Sequence, residues 1–251
     1  MGWLDQKQKE RGRRALERQL AYQEKKAAAF GESDDMRRSI FLRSQAVRQK
    51  LEAVKPIAET DKIIEVGSGA HGLIFGFANN FGIGVDPLAV DYKRLFPKWQ
   101  QTAETAAAIG EELPFADDTF DIVLSDNVID HAEQPLRIVD ELVRVLKPGG
   151  LLYFTVNVHH PMYDLVSRAH GLWNAVGLKF ELSPFADHTV HFSERQISEV
   201  FAGLAIKTIS QTSTIAETKA AQRKAPARNA DAVLKKVFFK NALFEIVAVK
   251  N

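Results

Sequence analysis

The chain has 251 residues, 45% of them hydrophobic and none of them cysteine, with 33 Lys plus Arg against 32 Asp plus Glu and a formal net charge of +1. That composition suits one large α/β domain with appendages. It excludes disulfides, thiolate zinc sites and cysteine nucleophiles, and it gives no global pull toward nucleic acid or membrane. No apolar run approaches the roughly 18 residues that span a bilayer, and the N-terminus lacks an apolar signal core, so a cytoplasmic protein is expected.

Residues 1 to about 55 are poor in Gly and Pro and rich in Ala, Arg, Lys, Gln and Glu. Leu16, Leu20, Phe30, Ile40, Val47 and Leu51 recur at helical intervals, which predicts two helices broken near Gly31-Glu32-Ser33-Asp34-Asp35, with Ser33 or Asp34 as a cap. This stretch is set apart as an N-terminal helical arm, 1–55, before a domain spanning 56–251. Residues 1–50 hold 13 Lys plus Arg against 7 Asp plus Glu. Such a basic arm can bind RNA or an anionic substrate; a solvated helix face with a partner-facing or lid-like stripe is the reading preferred here.

From Thr60 onward, strand-like and helix-like segments alternate, as in a parallel sheet with helices on both faces. Lys62 to Val66 is an apolar, β-branched strand that runs into Gly67-Ser68-Gly69-Ala70-His71-Gly72. Glycines there let the backbone turn with φ > 0 and let a ligand lie on the peptide plane, and the helix expected over His71 to Asn80 offers free N–H groups to an anion. Glu65 lies inside this strand, where an apolar residue is the norm, so its carboxylate needs donors or a cation. The next strand, Ile83 to Asp86, ends on a carboxylate that can accept both vicinal hydroxyls of an adenosine ribose, in a dinucleotide or in S-adenosylmethionine (SAM).

A helix follows over Leu88 to Phe96, and a third strand falls within the Ala/Thr-rich stretch Gln101 to Ile109. Pro114 and the acidic turn at Asp117-Asp118 precede a fourth strand, Phe120 to Ser125, and then the loop Asp126-Asn127-Val128-Ile129-Asp130-His131. Helix Leu136 to Leu146 ends at Lys147-Pro148-Gly149-Gly150, the lysine complementing its C-terminus. Leu151 to Val158 reads as a central strand. Ser193 caps a later helix with Gln196 at capping-box distance, Leu204 to Ser213 is a strand, residues 214–231 are a connection or short helix, and Lys236 to Val249 carries the last strand or a strand pair.

The order Glu65-Val66-Gly67-Ser68-Gly69, Gly84-Val85-Asp86, Glu111-Glu112-Leu113-Pro114-Phe115, Phe120-Asp121-Ile122-Val123 and Val145-Leu146-Lys147-Pro148-Gly149-Gly150 resembles the class I SAM-dependent methyltransferases of the type 11 branch. The resemblance implies an α/β, doubly wound Rossmann-like sheet of seven strands, the last one antiparallel beside the fifth. It also implies SAM as cofactor: Gly67, Ser68 and Gly69 against the methionine part, Glu65 facing the ammonium directly or through water, Asp86 with Pro87 at the ribose, Gly110 and Glu111 bordering adenine, and Ser125, Asp126 and Asn127 along the methionine tail. Relatives often carry an aspartate two residues before the position of Glu111, where this chain has Ile109, so Glu111 or a backbone carbonyl takes over the adenine contact.

Methyl transfer from a sulfonium needs alignment of the acceptor in a dry pocket, plus a base if the acceptor must lose a proton. His131 is the candidate base and also a substrate contact, with Asn157, His159, His160, Tyr163 and Trp173 as further acceptor-side residues. The aromatic-rich segment of about 160–195 is expected to form a lid. His188 and His191 give an H-x-x-H spacing without supporting ligands, so no metal site is expected. The expected reaction is in-line methyl transfer to a small organic or lipid-like acceptor, with oxygen slightly favoured. The alternatives are a nicotinamide-dependent (NAD) oxidoreductase, which explains the glycines and Asp86 alone, and a SAM- or RNA-binding adaptor without catalysis.

Overall fold

The structure is a computed structural model that describes residues 3–77, 80–163, 190–227 and 230–251. Seven strands form one sheet: β1 (Lys62–Val66), β2 (Phe81–Val85), β3 (Glu104–Ala106), β4 (Phe120–Asp126), β5 (Leu146–Val158), β6 (Ile206–Ser213) and β7 (Ala242–Lys250). Their order is β3-β2-β1-β4-β5-β7-β6. Strands β1 to β5 pair in parallel, and β7 runs antiparallel between β5 and β6. The expected sheet is therefore present, with its single antiparallel strand beside the fifth.

Alternation along β1 splits the core into two layers, because successive side chains point to opposite faces. Ile64 and Val66 join Val123, Leu152 and Phe154 against helix α5 (Pro135–Val145) and helix α6 (Glu194–Ala202), through Ile138, Leu142, Ile197 and Phe201. Ile63 faces the other way and meets Ile122, Leu124 and Tyr153, with Val47 and Leu51 of helix α2 (Asp34–Glu52) closing that layer. Ser33 caps α2 and the Ser193–Gln196 capping box opens α6, as their spacing predicts. The second N-terminal helix thus belongs to the sheet's core, on the near side of the boundary drawn at 55.

The helix predicted over His71 to Asn80 is cut to one 3-10 turn, Leu73–Gly76. Its carbonyls are taken from outside: Ser44 Oγ donates to Leu73 O at 2.9 Å and Gln45 Nε2 to Gly76 O at 3.0 Å. A Cβ on Gly76 would lie 2.1 Å from Ser44 Cβ, so α2 fills the space that a longer helix needs. The helix predicted over Leu88 to Phe96 is present as α3 (Ala89–Leu95), and a separate short helix, α4 (Pro97–Gln100), opens on Pro97, which has no N–H to continue the ladder. Lys147 does not serve the C-terminus of α5; its Nζ binds both oxygens of Asp121 at 2.8 Å. Lys250 does that work instead, donating to Val143 O and Leu146 O at 2.7 Å.

Between β6 and β7 lie α7 (Ile215–Lys224) and α8 (Ala230–Val237), so the short helix expected in 214–231 is present and the last strand begins at Ala242 rather than Lys236. Helix α1 (Trp3–Phe30) precedes α2. Most of the segment predicted as a lid, including Trp173, lies outside the described residues.

Candidate active site

The C-terminal ends of β1, β2 and β4 meet at the glycine turn. Gly67 has φ +73°, and its N–H donates to Val85 O at 2.7 Å, which locks the turn to β2. A Cβ at Gly67 would stand 2.3 Å from Val128 Cγ2 in the loop after β4. Gly69 has φ +56° and donates its N–H to Asp86 Oδ2 at 3.0 Å, while Asp86 Oδ1 accepts from Leu88 N at 2.8 Å. Burial raises the Asp86 pKa, and these two backbone bonds oppose the rise. Pro87, next to it, is exposed. Gly110 packs beneath the site, where a Cβ would sit 3.0 Å from Val66 Cγ1.

Two serine hydroxyls point to what this edge lacks. Ser68 and Ser125 are buried, and neither Oγ has a hydrogen-bond partner. Buried hydroxyls without partners are costly, so a polar ligand seated on the turn would satisfy them. Asp126 accepts from Thr155 Oγ1 at 2.7 Å and pairs with Arg43, which reaches in from α2. Asn127 has φ +58° and accepts the Asn157 N–H through Oδ1 at 3.0 Å, so both residues are committed to joining β4 to β5.

Glu65, expected at the cofactor ammonium, is engaged by the backbone that follows the turn. It is 1% exposed, and its two oxygens accept from Leu73 N at 3.0 Å and Ile74 N at 2.8 Å. Burial drives its pKa up to about 8, against those two bonds. The acid thus caps the 3-10 turn and sets the shape of the glycine loop from inside. Glu111 has a similar use: its Oε1 accepts from Glu133 N at 3.2 Å and Gln134 N at 3.3 Å, tying the stretch after β3 to the start of α5.

On the acceptor side, Asp130 is fully buried, and the side chain of His131 is 48% exposed with Nε2 3.8 Å from Asp130 Oδ1. His159 is buried and its Nδ1 accepts from Asn241 N; His160 Nδ1 accepts from Met162 N. Both imidazoles therefore carry their neutral-state proton on Nε2. Burial, then the Lys219 charge, lowers the His160 pKa. Tyr163 donates to Phe238 O at 3.1 Å and stacks on His191, whose ring lies 4.9 Å from that of His159. Sequence reasoning missed Arg43 and Val128; only Arg43 left a trace, one helical turn before the buried Val47 of α2.

A parallel sheet closed by one antiparallel strand, with the glycine turn, Asp86 and two unsatisfied serine hydroxyls gathered at one edge, is the architecture of the class I SAM-dependent methyltransferase fold, and the donor set fits SAM. Residues 64–154 match the methyltransferase domain family. The chain is 28% identical over 168 residues to the uncharacterized protein MJ1123 of Methanocaldococcus jannaschii, covering 67% of this chain and 75% of that one. It is 40% identical over 96 residues to an uncharacterized methyltransferase of Mycolicibacterium vanbaalenii, spanning 37% of this chain and 36% of that relative. The fold is similar to that of geranyl diphosphate C-methyltransferase from Streptomyces coelicolor, solved with Mg2+, geranyl diphosphate and S-adenosyl-L-homocysteine, at TM-score 0.56 and 15% identity over 82% of this chain and 77% of that one. The oxidoreductase alternative falls with these matches. No helix among the described residues is long and apolar enough to cross a membrane.

Proposed function

We propose that the chain transfers a methyl group to a hydroxyl of a small, largely apolar acceptor, with His131 as general base. SAM supplies an activated methyl, so the residues beyond β4 and β5 have only to hold the acceptor, exclude water and take its proton. A groove of about 580 Å³ supports an apolar acceptor: it is lined by Pro135, Leu136, Val190, Phe192 and Val200 with Gln196 and Glu199. Its wall at Val190 is hydrogen-bonded to Asp130 O, next to His131. Asn157, His159, His160 and Tyr163 border the same end of β5.

The choice of base rests on hydrogen-bond direction. His159 and His160 each present Nδ1 to a backbone N–H, so protonating that nitrogen would set donor against donor. His131 has the Asp130 carboxylate beside it, placed to balance an imidazolium. As the acceptor oxygen takes the methyl group, its proton passes to His131. The fold alone does not fix the acceptor: neighbours of similar fold include a geranyl diphosphate methyltransferase and a putative sarcosine dimethylglycine methyltransferase. Helix α1 presents a buried stripe to the body of the domain, which supports a lid-like arm over an RNA-binding one. Composition supports the cytoplasm as its compartment.

A mass-spectrometric screen for a one-methyl gain among pooled hydroxylated metabolites tests the reading. Product found only on nitrogen or carbon acceptors would overturn it. With a hydroxyl acceptor in hand, His131→Gln is expected to lower kcat by about 10²- to 10⁴-fold while S-adenosylhomocysteine affinity holds.

A further inference from the structure

Helix α1 lies against the wall of the cofactor site. Leu20 and Ala27 pack on a cluster that contains Ala70 of the glycine loop and Leu88, Tyr92, Phe96 and Trp99 of the segment after β2. Gln19 approaches the Tyr92 hydroxyl, which also feels the Asp86 charge, and the Lys26 charge acts on His71. One face of α1 therefore runs from Gln19, at Tyr92 beside Asp86, to Lys26, at His71 of the glycine loop. Gln23 lies one helical turn from both Gln19 and Ala27, in the middle of that face.

Gln23 is 7% exposed, and its Oε1 has no hydrogen-bond partner. A packing residue has no reason to be an amide here, since a leucine would fill the same space without the desolvation cost. The unsatisfied atom is an acceptor, so whatever completes it must be a donor. SAM carries such donors on the half that lies between Asp86 and the glycine loop: the ribose hydroxyls and the α-ammonium.

We propose that Gln23 is a cofactor-binding residue, through which α1 closes the SAM site by accepting a hydrogen bond from a ribose hydroxyl or the α-ammonium. Gly31 ends α1 with φ +57° and a 2.9 Å bond to Ala27 O; a Cβ there would meet nothing within 4 Å, which leaves α1 a glycine joint to the rest of the chain. The proposal rests on SAM being the cofactor, and the experiment separates the two.

Calorimetry with S-adenosylhomocysteine and with 5′-methylthioadenosine would compare the full-length wild type, Gln23→Leu and Leu20→Ala. Absence of wild-type binding would fault the cofactor assignment itself. With wild-type binding established, Gln23→Leu is expected to bind S-adenosylhomocysteine roughly tenfold more weakly, the loss of one buried hydrogen bond. Its unfolding temperature without ligand should match or exceed the wild type, because an unsatisfied buried acceptor is gone. Loss toward both ligands assigns the ribose, and loss toward S-adenosylhomocysteine alone assigns the ammonium. Leu20→Ala, which removes packing but no acceptor, should lower the unfolding temperature. Hydrogen exchange should show ligand-induced protection of residues 19–27 in the wild type and less of it in Gln23→Leu. A folded Gln23→Leu protein that binds both ligands within twofold of wild type would overturn the proposal.

Discussion

Replacing Glu65 by Gln tests whether the strand acid works from beneath the loop. In the folded chain its pKa is raised by burial from 4.5 to about 8. Folded protein therefore keeps a proton that the unfolded chain gives up above about pH 4.5. The stability that this proton contributes is full below that pH and is lost as pH rises through about 8. Linkage sets a ceiling of about 5 kcal/mol on the loss, and relaxation around the carboxylate will reduce it. Gln cannot titrate, so Glu65→Gln should abolish this slope. Its amide sets one N–H against the backbone N–H of Leu73 or Ile74, at a cost of about 1–3 kcal/mol near pH 5. The two stability curves should converge, or cross, near pH 9. Urea unfolding followed by tryptophan fluorescence at several pH values measures both curves. A constant gap between them across that range would refute the buried, proton-holding role of Glu65.

Three further substitutions separate backbone strain, steric contact and ligand binding at the same edge. Gly69→Ala meets open space and suffers only its left-handed backbone, so it should destabilise by about 1 kcal/mol, whereas Gly67→Ala adds a collision with Val128 and should cost clearly more in chemical denaturation. Equal losses for the two alanines would show that the loop after β4 yields freely. Asp86→Ala removes the carboxylate expected at the ribose, and S-adenosylhomocysteine affinity by calorimetry should fall about 10- to 100-fold; unchanged affinity would move the ribose elsewhere.

The fold was legible where neighbours in sequence decide it. The β-branched run into Gly67, the proline and glycines after α5, and the Ser193–Gln196 box each carry their own local physics, and each stands where it was predicted. Errors fall where a distant partner decides. The 3-10 turn at Leu73–Gly76 is short because Ser44 and Gln45, some thirty residues earlier, take its carbonyls. Lys147 reads as the natural cation for the end of α5, yet Asp121 is nearer across the β4–β5 pair, and Lys250 arrives only because β7 runs antiparallel. At the site, Asp86 was legible as a strand-terminal acid, and its carboxylate holds the Gly69 and Leu88 N–H groups. Gln23 was not legible, since nothing in the stripe Leu20, Gln23, Ala27 marks it as special until its burial is seen.

Glu65 shows how a motif residue can also do work inside the protein that the motif does not announce. An acid inside a buried parallel strand demands an explanation, and the bound ammonium is the natural one when only the sequence is in hand. The structure supplies two backbone donors from the turn that the acid itself helps to form. Gly72 completes the arrangement, since a Cβ there would stand 2.3 Å from Glu65 Oε2 and 2.5 Å from Ser68 O, although its φ of −71° suits any residue. Glu65, Gly72 and the peptide of Ser68 are therefore one packed unit, and the unit fixes where the Gly69 N–H meets Asp86. A fixed loop loses less freedom when a ligand settles on it. The strand acid is thus expected to contribute to cofactor affinity through the loop it holds rigid.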